Sequence, residues 1–171
     1  WPHTVEILKY IVDTGFRTSI TTNGWFIDAD MARKLVDTGM SGIFISLDSL
    51  KEETHDSIRG MKGAYRRVMN AIEYLDMFKK ENNPELCVGI TNTIMERNLG
   101  EMISIAQWAQ ANEKINQLFY NAVLLPFDGD YTQKDWYRQP RFKNIWPQDY
   151  GALRSALKEL AELKKSGYKI S

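Results

Sequence analysis

The sequence lacks the residues that disulfide-stabilised and metal-binding domains depend on. Its 171 residues include one cysteine, Cys87, and two histidines, His3 and His55. A single cysteine excludes an internal disulfide framework, a four-cysteine zinc site and an iron–sulfur cluster ligated by this sequence alone. The two histidines are far apart in the sequence, so we predict no metal site and expect both to be solvated or helix-capping.

The sequence also lacks an excess of charge and a long apolar run. Lysine and arginine number 22, and aspartate and glutamate also number 22. No long-range field would therefore attract a polyanion, and we do not expect nucleic-acid binding. No stretch approaches the roughly 18 consecutive apolar residues of a membrane span, and no signal peptide is visible. We therefore predict a cytoplasmic protein that is not associated with a membrane.

What the sequence does contain is an alternation of helical and strand patterns. The tetrapeptide Val-Asp-Thr-Gly ends a helical pattern at residues 12–15 and again at residues 36–39. A β-branched strand pattern follows each copy, and such a repeated helix–strand unit with short loops is typical of parallel α/β folds. Superposing the two copies predicts that Thr22 and Ser46 occupy equivalent positions near the ends of their strands.

The same pattern continues along the whole chain, which we predict to be a single domain over residues 1–171. It begins with a helix that has no preceding strand and stops where a strand begins. We therefore expect it to be the central part of a larger barrel or doubly wound sheet. Helices are predicted over 5–12, 28–36, 50–59, 64–80, 98–111 and 149–165, and strands over 16–22, 42–49, 86–93 and 117–125, with a fifth strand beginning at Tyr168.

The predicted strand ends carry the candidate binding residues, because ligands of parallel α/β folds bind at the carboxyl ends of the strands. Their side chains are small and neutral or weakly polar, which suits hydroxyls, amides and a zwitterion. The alternative is that these side chains cap the following helices. Arg59 follows one of these strands and either binds a ligand carboxylate or interacts with the end of its own helix. The candidates at the strand ends are Thr21, Thr22, Asn23, Ser46, Asp48, Ser49, Asn92, Thr93 and Asn121, whereas Cys87 lies near the start of its strand as a small core residue.

Four motifs in order resemble the radical S-adenosylmethionine (SAM) superfamily, over about residues 4–125. The resemblance is strongest to the branch that contains peptide-modifying and molybdopterin-precursor enzymes. The motifs are Thr-Thr-Asn-Gly at 21–24, Ile-Ser-Leu-Asp-Ser at 45–49, His-Asp-x-x-Arg-Gly-x-x-Gly-x-Tyr at 55–65 and Ile-Thr-Asn-Thr-Ile-Met at 90–95.

This resemblance implies an incomplete TIM-like (β/α)6 barrel that binds SAM and a [4Fe–4S] cluster. In that family, SAM is cleaved reductively to a 5′-deoxyadenosyl radical, which abstracts a hydrogen atom from the substrate. The implied partners are a small-molecule or peptide substrate and a reductant protein. By position, Ser46 would contact the ribose or methionine part of SAM, Thr22 and Asn23 would line the pocket, Arg59 would pair with the SAM carboxylate, Asn92 and Tyr120 would lie along the nucleoside, and Asp48 would be a structural acceptor facing the same region.

The sequence departs from the family in lacking the CxxxCxxC motif and the GGE-type motif. The resemblance therefore implies that the cluster ligands lie outside this sequence and that these residues alone are inactive. An alternative is a non-catalytic, cluster-less binding module of the same fold, and another is an unrelated parallel α/β barrel enzyme. The first alternative would use the aromatic and basic loop over residues 126–147 to bind a peptide or a base, unless those rings pack over the barrel end. The aromatic residues of this loop include Tyr131, Trp136, Tyr137, Phe142 and Trp146, and Lys134, Arg138, Arg141 and Lys143 lie among them.

Overall fold

The computed structural model describes residues 3–124 and 135–171, which form an α/β domain with four parallel strands. Short 3-10 helices span Glu96–Glu101, Trp136–Arg138 and Pro140–Phe142. The main elements in chain order are α1 (Thr4–Asp13), β1 (Ser19–Thr22), α2 (Ala29–Asp37), β2 (Gly42–Ser46), α3 (Glu52–Arg59), α4 (Ala64–Asn82), β3 (Cys87–Ile94), α5 (Met102–Ala111), β4 (Gln117–Ala122) and α6 (Tyr150–Lys165).

The strands pair in their sequence order, β1-β2-β3-β4, and every pair is parallel. Alternate residues of β2, β3 and β4 are buried, while their neighbours remain partly exposed. The helices therefore cover one face of the sheet, here called the covered face, and leave an open face opposite. A doubly wound sheet has helices on both faces, so the arrangement is that of consecutive units of a barrel.

The predicted fifth strand begins beside β4. Leu118 forms a parallel bridge with Ile170. Its backbone N–H donates to the Lys169 carbonyl at 2.7 Å, and its carbonyl accepts from Ser171 N at 2.9 Å. The sequential order of strands thus continues past β4 with the same parallel direction.

The repeated tetrapeptide ends α1 and α2 as predicted, but the strands that follow are not equally spaced. Gly15 and Gly39 adopt φ values of 89° and 78°, the left-handed conformation that favours glycine after a helix. The connection after Gly39 is one residue shorter, so Thr22 pairs with Ile45 and not with Ser46. The predicted equivalence of Thr22 and Ser46 is therefore wrong, and a shift of one residue places their side chains on opposite faces.

The covered face contains the core. Ile43, Ile45, Val88, Ile90 and Leu118 have no exposed surface and belong to one apolar cluster with the helices. Full burial of such a side chain stabilises the fold by about 1.5–3 kcal/mol. No helix within residues 3–124 and 135–171 is long and apolar enough to cross a membrane.

The connection between β2 and α3 is longer than the sequence predicts, since the predicted helix begins at residue 50. The helix begins at Glu52, after Lys51, which makes no side-chain cap. The Ser49 hydroxyl instead donates to the Glu101 carboxylate at 2.9 Å and accepts from Lys51 N at 2.9 Å. Leu50 N also donates to Glu101, at 3.1 Å. Because Glu101 immediately precedes α5, these contacts fasten the end of β2 to the start of that helix.

Candidate functional site

The carboxyl-terminal half of the open face carries a group of hydroxyl and amide side chains. Ser46 and Thr91 are directly paired on neighbouring strands, and the Thr91 hydroxyl lies 3.4 Å from the Ser46 hydroxyl, to which it donates. Thr93 and Asn121 are paired two residues further along β3 and β4. Thr21 lies on the same face of β1. We call Thr21, Ser46, Thr91, Thr93 and Asn121 the open-face polar group.

Three of the predicted site residues lie on the covered face instead. The Thr22 hydroxyl accepts from Gly24 N at 3.2 Å. The buried Asn92 amide donates to the Leu47 carbonyl at 2.8 Å. The Tyr120 hydroxyl donates to the Met102 carbonyl at 2.5 Å, and burial raises the pKa of this tyrosine. The structure therefore uses these side chains to tie strand ends to turns and helices, and their contact with a cofactor stays a prediction.

Thr93 and Asn121 are among the strand-end residues that the sequence predicts, whereas Thr91 is not. The signal that places all three on the open face is the alternation of side chains along each strand. Val88 and Ile90 are apolar and buried, so Asn92 shares their face and Thr91 and Thr93 point the other way. Residues 91–93 are all polar, so the alternation is visible only when the apolar residues that precede them in the strand are included.

Asn23 lies at the exposed end of β1, within a tight turn. Its Oδ1 accepts from Trp25 N at 3.1 Å. Gly24 follows with φ of 74°, and a Cβ there would lie 3.2 Å from Ile45 Cγ2 and 3.6 Å from the Val68 backbone. The Thr-Thr-Asn-Gly motif therefore allows a close approach of the turn to β2 and α4, and it leaves Asn23 at the rim of the open face.

Asp48 and Arg59 form an ion pair at the end of β2. Arg59 Nη2 lies 2.7 Å from Asp48 Oδ2, and the Asp48 side chain is 1% exposed. Thr93 N donates to Asp48 Oδ1 at 3.3 Å. Burial raises the pKa of Asp48, and the positive charge of Arg59 opposes this rise. The Arg59 side chain is 28% exposed, so a bound carboxylate would share its guanidinium with Asp48.

His55 is buried behind this ion pair, so the expectation that it is solvated or caps a helix is wrong. Its Nδ1 accepts from Asp48 N at 3.2 Å, and the residue is 1% exposed. Burial and the charge of Arg59 lower the pKa of His55 from 6.5 to about 4. The neutral imidazole therefore accepts the Asp48 N–H just beyond the end of β2.

Asp56 attaches the next helix to the same segment. Its carboxylate accepts from Gly63 N at 2.5 Å and from Tyr65 N at 2.8 Å, at the start of α4. These backbone hydrogen bonds lower the pKa of Asp56. Together with His55 and Arg59, this residue gives the 55–65 motif a structural role, which is to hold α3 and α4 against the end of β2.

Asn98 connects the ends of β2 and β3. Its Nδ2 donates to the Asp48 carbonyl at 2.8 Å and to the Thr93 carbonyl at 2.9 Å, while its Oδ1 accepts from Met95 N at 2.8 Å. Asn98 is 1% exposed. It was predicted to begin a helix, but α5 begins four residues later, at Met102. The side chain therefore fixes the spacing of the two strands that carry Ser46 and Thr91.

The described part of the aromatic loop packs on itself. The Trp136 ring centroid lies 5.1 Å from that of Phe142 and 5.4 Å from that of Trp146. Glu96 N donates to the Ile145 carbonyl at 3.0 Å, which joins this segment to the end of β3. Tyr131 and Lys134 lie outside the described residues. The described rings pack against one another, and both alternatives for this loop, ligand binding and packing over the barrel end, stay predictions.

The residues of this chain do not fit an iron–sulfur cluster. Such clusters are held by several cysteine thiolates, and Cys87 is the only cysteine in the sequence. Cys87 lies at the start of β3, half-buried on the open face and not in the core as predicted, and burial raises its pKa. Across residues 3–124 and 135–171, no group of three or more His, Cys, Asp and Glu side chains could hold a metal ion.

The fold and this site define a barrel-type α/β protein with its polar site at the carboxyl ends of parallel strands. The chain belongs to the radical SAM superfamily, whose family model matches residues 1–109. This match confirms the resemblance of the four motifs. The solved structure of SuiB from Streptococcus suis bound to S-adenosylmethionine has the same fold, with a TM-score of 0.69 at 14% identity, over 98% of this chain and 35% of that chain.

Two curated relatives come from Methanosarcina barkeri (strain Fusaro / DSM 804). The chain is 34% identical over 149 residues to an AdoMet-dependent heme synthase, which covers 87% of this chain and 38% of the relative. It is 36% identical over 119 residues to an Fe-coproporphyrin III synthase, which covers 69% of this chain and 28% of the relative. The chain thus spans about a third of the length of these relatives.

Proposed function

We propose that these residues form the SAM-binding central part of a radical SAM enzyme. The observation that carries the proposal is the open-face polar group, which lies at the carboxyl ends of the strands in a chain of this superfamily. Ser46 and Thr91 are its centre, because their hydroxyls are adjacent and half-buried.

The chemistry of these side chains fits SAM. The ligand combines ribose hydroxyls, an adenine and a methionine zwitterion, all of which hydrogen-bond to neutral hydroxyl and amide groups. Arg59 adds a positive charge at the same strand ends for the methionine carboxylate. Asp48, His55 and Asn98 act through other groups, since they hold Arg59 and the ends of β2 and β3 in place.

SAM supplies a 5′-deoxyadenosyl radical that removes a hydrogen atom from the substrate when it is cleaved by one-electron reduction. The role of this chain is to bind SAM, orient it and exclude water from the open face. We propose that the cluster thiolates are contributed by residues outside this sequence and that a separate protein supplies the electron.

Porphyrins are the first substrates to test. Two relatives, at 34% and 36% identity, carry the names of an AdoMet-dependent heme synthase and an Fe-coproporphyrin III synthase. We propose a substrate of this class, which is a small molecule. A peptide substrate is the alternative, and the same assay compares the two by adding each to the reduced enzyme.

The test uses the full-length protein, purified and reconstituted with iron and sulfide in the absence of oxygen. Binding of SAM is measured by calorimetry, and 5′-deoxyadenosine is measured by mass spectrometry after addition of dithionite. We expect SAM to bind and 5′-deoxyadenosine to form. We also expect the double variant Ser46→Ala/Thr91→Val to bind SAM about tenfold more weakly, because two hydrogen-bonding groups are lost.

The matched control is Ser41→Ala. Ser41 immediately precedes β2, at the opposite end of the strand from Ser46, so the same chemical change should leave SAM binding as in the wild type. Binding of SAM by a protein that takes up no cluster would favour the non-catalytic, cluster-less binding module. Failure of the reconstituted protein to bind SAM would overturn the proposed function.

A further inference from the structure

Two aromatic side chains lie on the open face beside the hydroxyls of Ser46 and Thr91. Phe44 is two residues before Ser46 on β2, and Phe119 is paired with Thr91 on β4. Their ring centroids are 5.2 Å apart at an interplanar angle of 80°. Neighbouring strands are about 4.8 Å apart, so these two rings meet across the whole width of β3.

Gly89 makes this contact possible. It is the β3 residue paired with Phe44, and a Cβ built on it would lie 2.4 Å from Phe44 Cδ1 and 2.6 Å from Cε1. Gly42 is similar, since its Cβ would lie 3.0 Å from Phe44 Cε2. The Phe44 ring therefore packs directly on the backbone of the sheet. A side chain at position 89 would displace the ring from this position.

We infer that Gly89 is a positioning residue, because it allows the Phe44 ring to lie against the sheet. Phe44 and Phe119 then form an aromatic floor for the proposed SAM site. Phe44 lies two residues towards the amino-terminal end of the sheet from Ser46, whereas Phe119 lies beside Thr91. The floor thereby sets how deeply a ligand enters the open face. This inference rests on the proposed function, because it concerns the same site.

A ring lifted from the sheet would occupy the space that the ligand needs. The backbone of β3 lies against the Phe44 ring and the Phe119 ring lies beside it, so a methyl group at position 89 would displace the Phe44 ring away from the sheet. Gly89→Ala should therefore act on ligand binding through Phe44, although position 89 itself touches no ligand. The effect should disappear when the large ring is absent.

The experiment measures the Kd of SAM by calorimetry on the full-length, reconstituted protein. We expect Gly89→Ala to raise the Kd about tenfold, because the displaced Phe44 ring would occupy part of the space of the ligand. The control is Gly100→Ala, because a Cβ at Gly100 meets nothing within 4 Å, and its Kd should equal that of the wild type.

Two further variants test the route through Phe44, and they remain informative where Gly89→Ala folds poorly. Phe44→Ala should raise the Kd about threefold, because the ligand loses contacts with the ring. Gly89→Ala/Phe44→Ala should match Phe44→Ala alone, since alanine lacks the Cδ1 and Cε1 atoms that the added methyl group would meet. A wild-type Kd for Gly89→Ala, or losses that multiply in the double variant, would overturn the inference.

The two proposals fail in different ways. If the wild-type protein does not bind SAM, the proposed function and the aromatic floor are both overturned. If the wild type binds SAM and Ser46→Ala/Thr91→Val weakens binding while Gly89→Ala does not, only the floor is overturned.

Discussion

The two faces of the sheet are held in different ways. On the covered face, side chains such as Ile45 and Ile90 are fully buried in one apolar cluster. On the open face, Ser46 and Thr91 share a single hydrogen bond of 3.4 Å and remain partly exposed. Packing of many atoms dominates stability, whereas a partly exposed hydroxyl contributes little to it. Substitutions at adjacent residues of one strand should therefore affect different properties, which are stability on the covered face and ligand binding on the open face.

The largest expected effect comes from the covered face. Ile45→Ala should lower the free energy of unfolding of the full-length protein by about 3 kcal/mol, because it leaves a cavity in a fully packed core. Ser46→Ala, the adjacent residue on the open face, should change it by about 0.5 kcal/mol or less. Denaturant titration of both variants measures the difference. Equal losses of unfolding free energy in the two variants would show that the open face contributes to stability as much as the covered face does.

The next effect concerns the ion pair where the two faces meet at the end of β2. Arg59→Ala should lower the free energy of unfolding by about 2–3 kcal/mol, because it leaves the Asp48 carboxylate buried without its partner. Arg66→Ala is the control, since Arg66 also forms an ion pair, with Glu52 at 2.8 Å, but is 76% exposed. Denaturant titration compares the two arginine variants, and a control loss as large as that of Arg59→Ala would contradict the assignment.

The third effect is a dependence of stability on pH through His55. Its folded pKa of about 4 lies below the unfolded value of 6.5, so the unfolded chain takes up a proton first as the pH falls. The contribution of His55 is complete above pH 6.5 and is lost towards pH 4, by about 2 kcal/mol between pH 6.5 and 5.

His55→Gln isolates this contribution. The raised pKa of Asp48 acts in the opposite direction over part of the same range, so the informative quantity is the difference between the wild type and the variant. Denaturant titrations at pH 6.5 and pH 5 should show a smaller acid loss in His55→Gln. His3→Gln, which removes the exposed imidazole of α1, is the control. Identical pH profiles for the wild type and His55→Gln would contradict a buried neutral imidazole.

The smallest effect is expected on the open face and should appear in binding alone. Thr91→Val should weaken SAM binding by about 1 kcal/mol, the usual value of one hydrogen bond, without a measurable change in stability. Calorimetry on the reconstituted protein measures the affinity. Thr14→Val is the control, because the Thr14 hydroxyl bonds only to the end of α1. A wild-type affinity for Thr91→Val would remove this residue from the proposed site.

Much of the fold could be predicted from local signals in the sequence. Gly15 and Gly39 end helices because glycine readily adopts positive φ. Asp28 begins α2, since its side chain accepts from Met31 N at 2.8 Å. These signals depend on residues a few positions apart, and they were read correctly. The Thr-Thr-Asn-Gly and Ile-Ser-Leu-Asp-Ser motifs were also correctly placed at strand ends.

The site was harder to predict because it depends on which face each residue occupies. The repeat placed Thr22 opposite Ser46, whereas a connection one residue shorter pairs Thr22 with Ile45. The sequence predicts that Arg59 binds a ligand carboxylate or interacts with the end of its own helix, and it does not indicate that Asp48 lies 2.7 Å from the guanidinium. No local pattern reveals that His55 is folded back onto the backbone of Asp48.

The alternation of helices and strands, the parallel sheet and the family follow from the sequence, because periodicity, caps and motifs are local properties of the chain. The folded chain was needed to show that Ser46 and Thr91 are neighbours, that Asn92 and Tyr120 face the helices, and that Phe44 lies on Gly89. Local patterns do not predict these relations, because they depend on strand register. A displacement of one residue, which costs nothing in local propensity, exchanges the two faces of a strand.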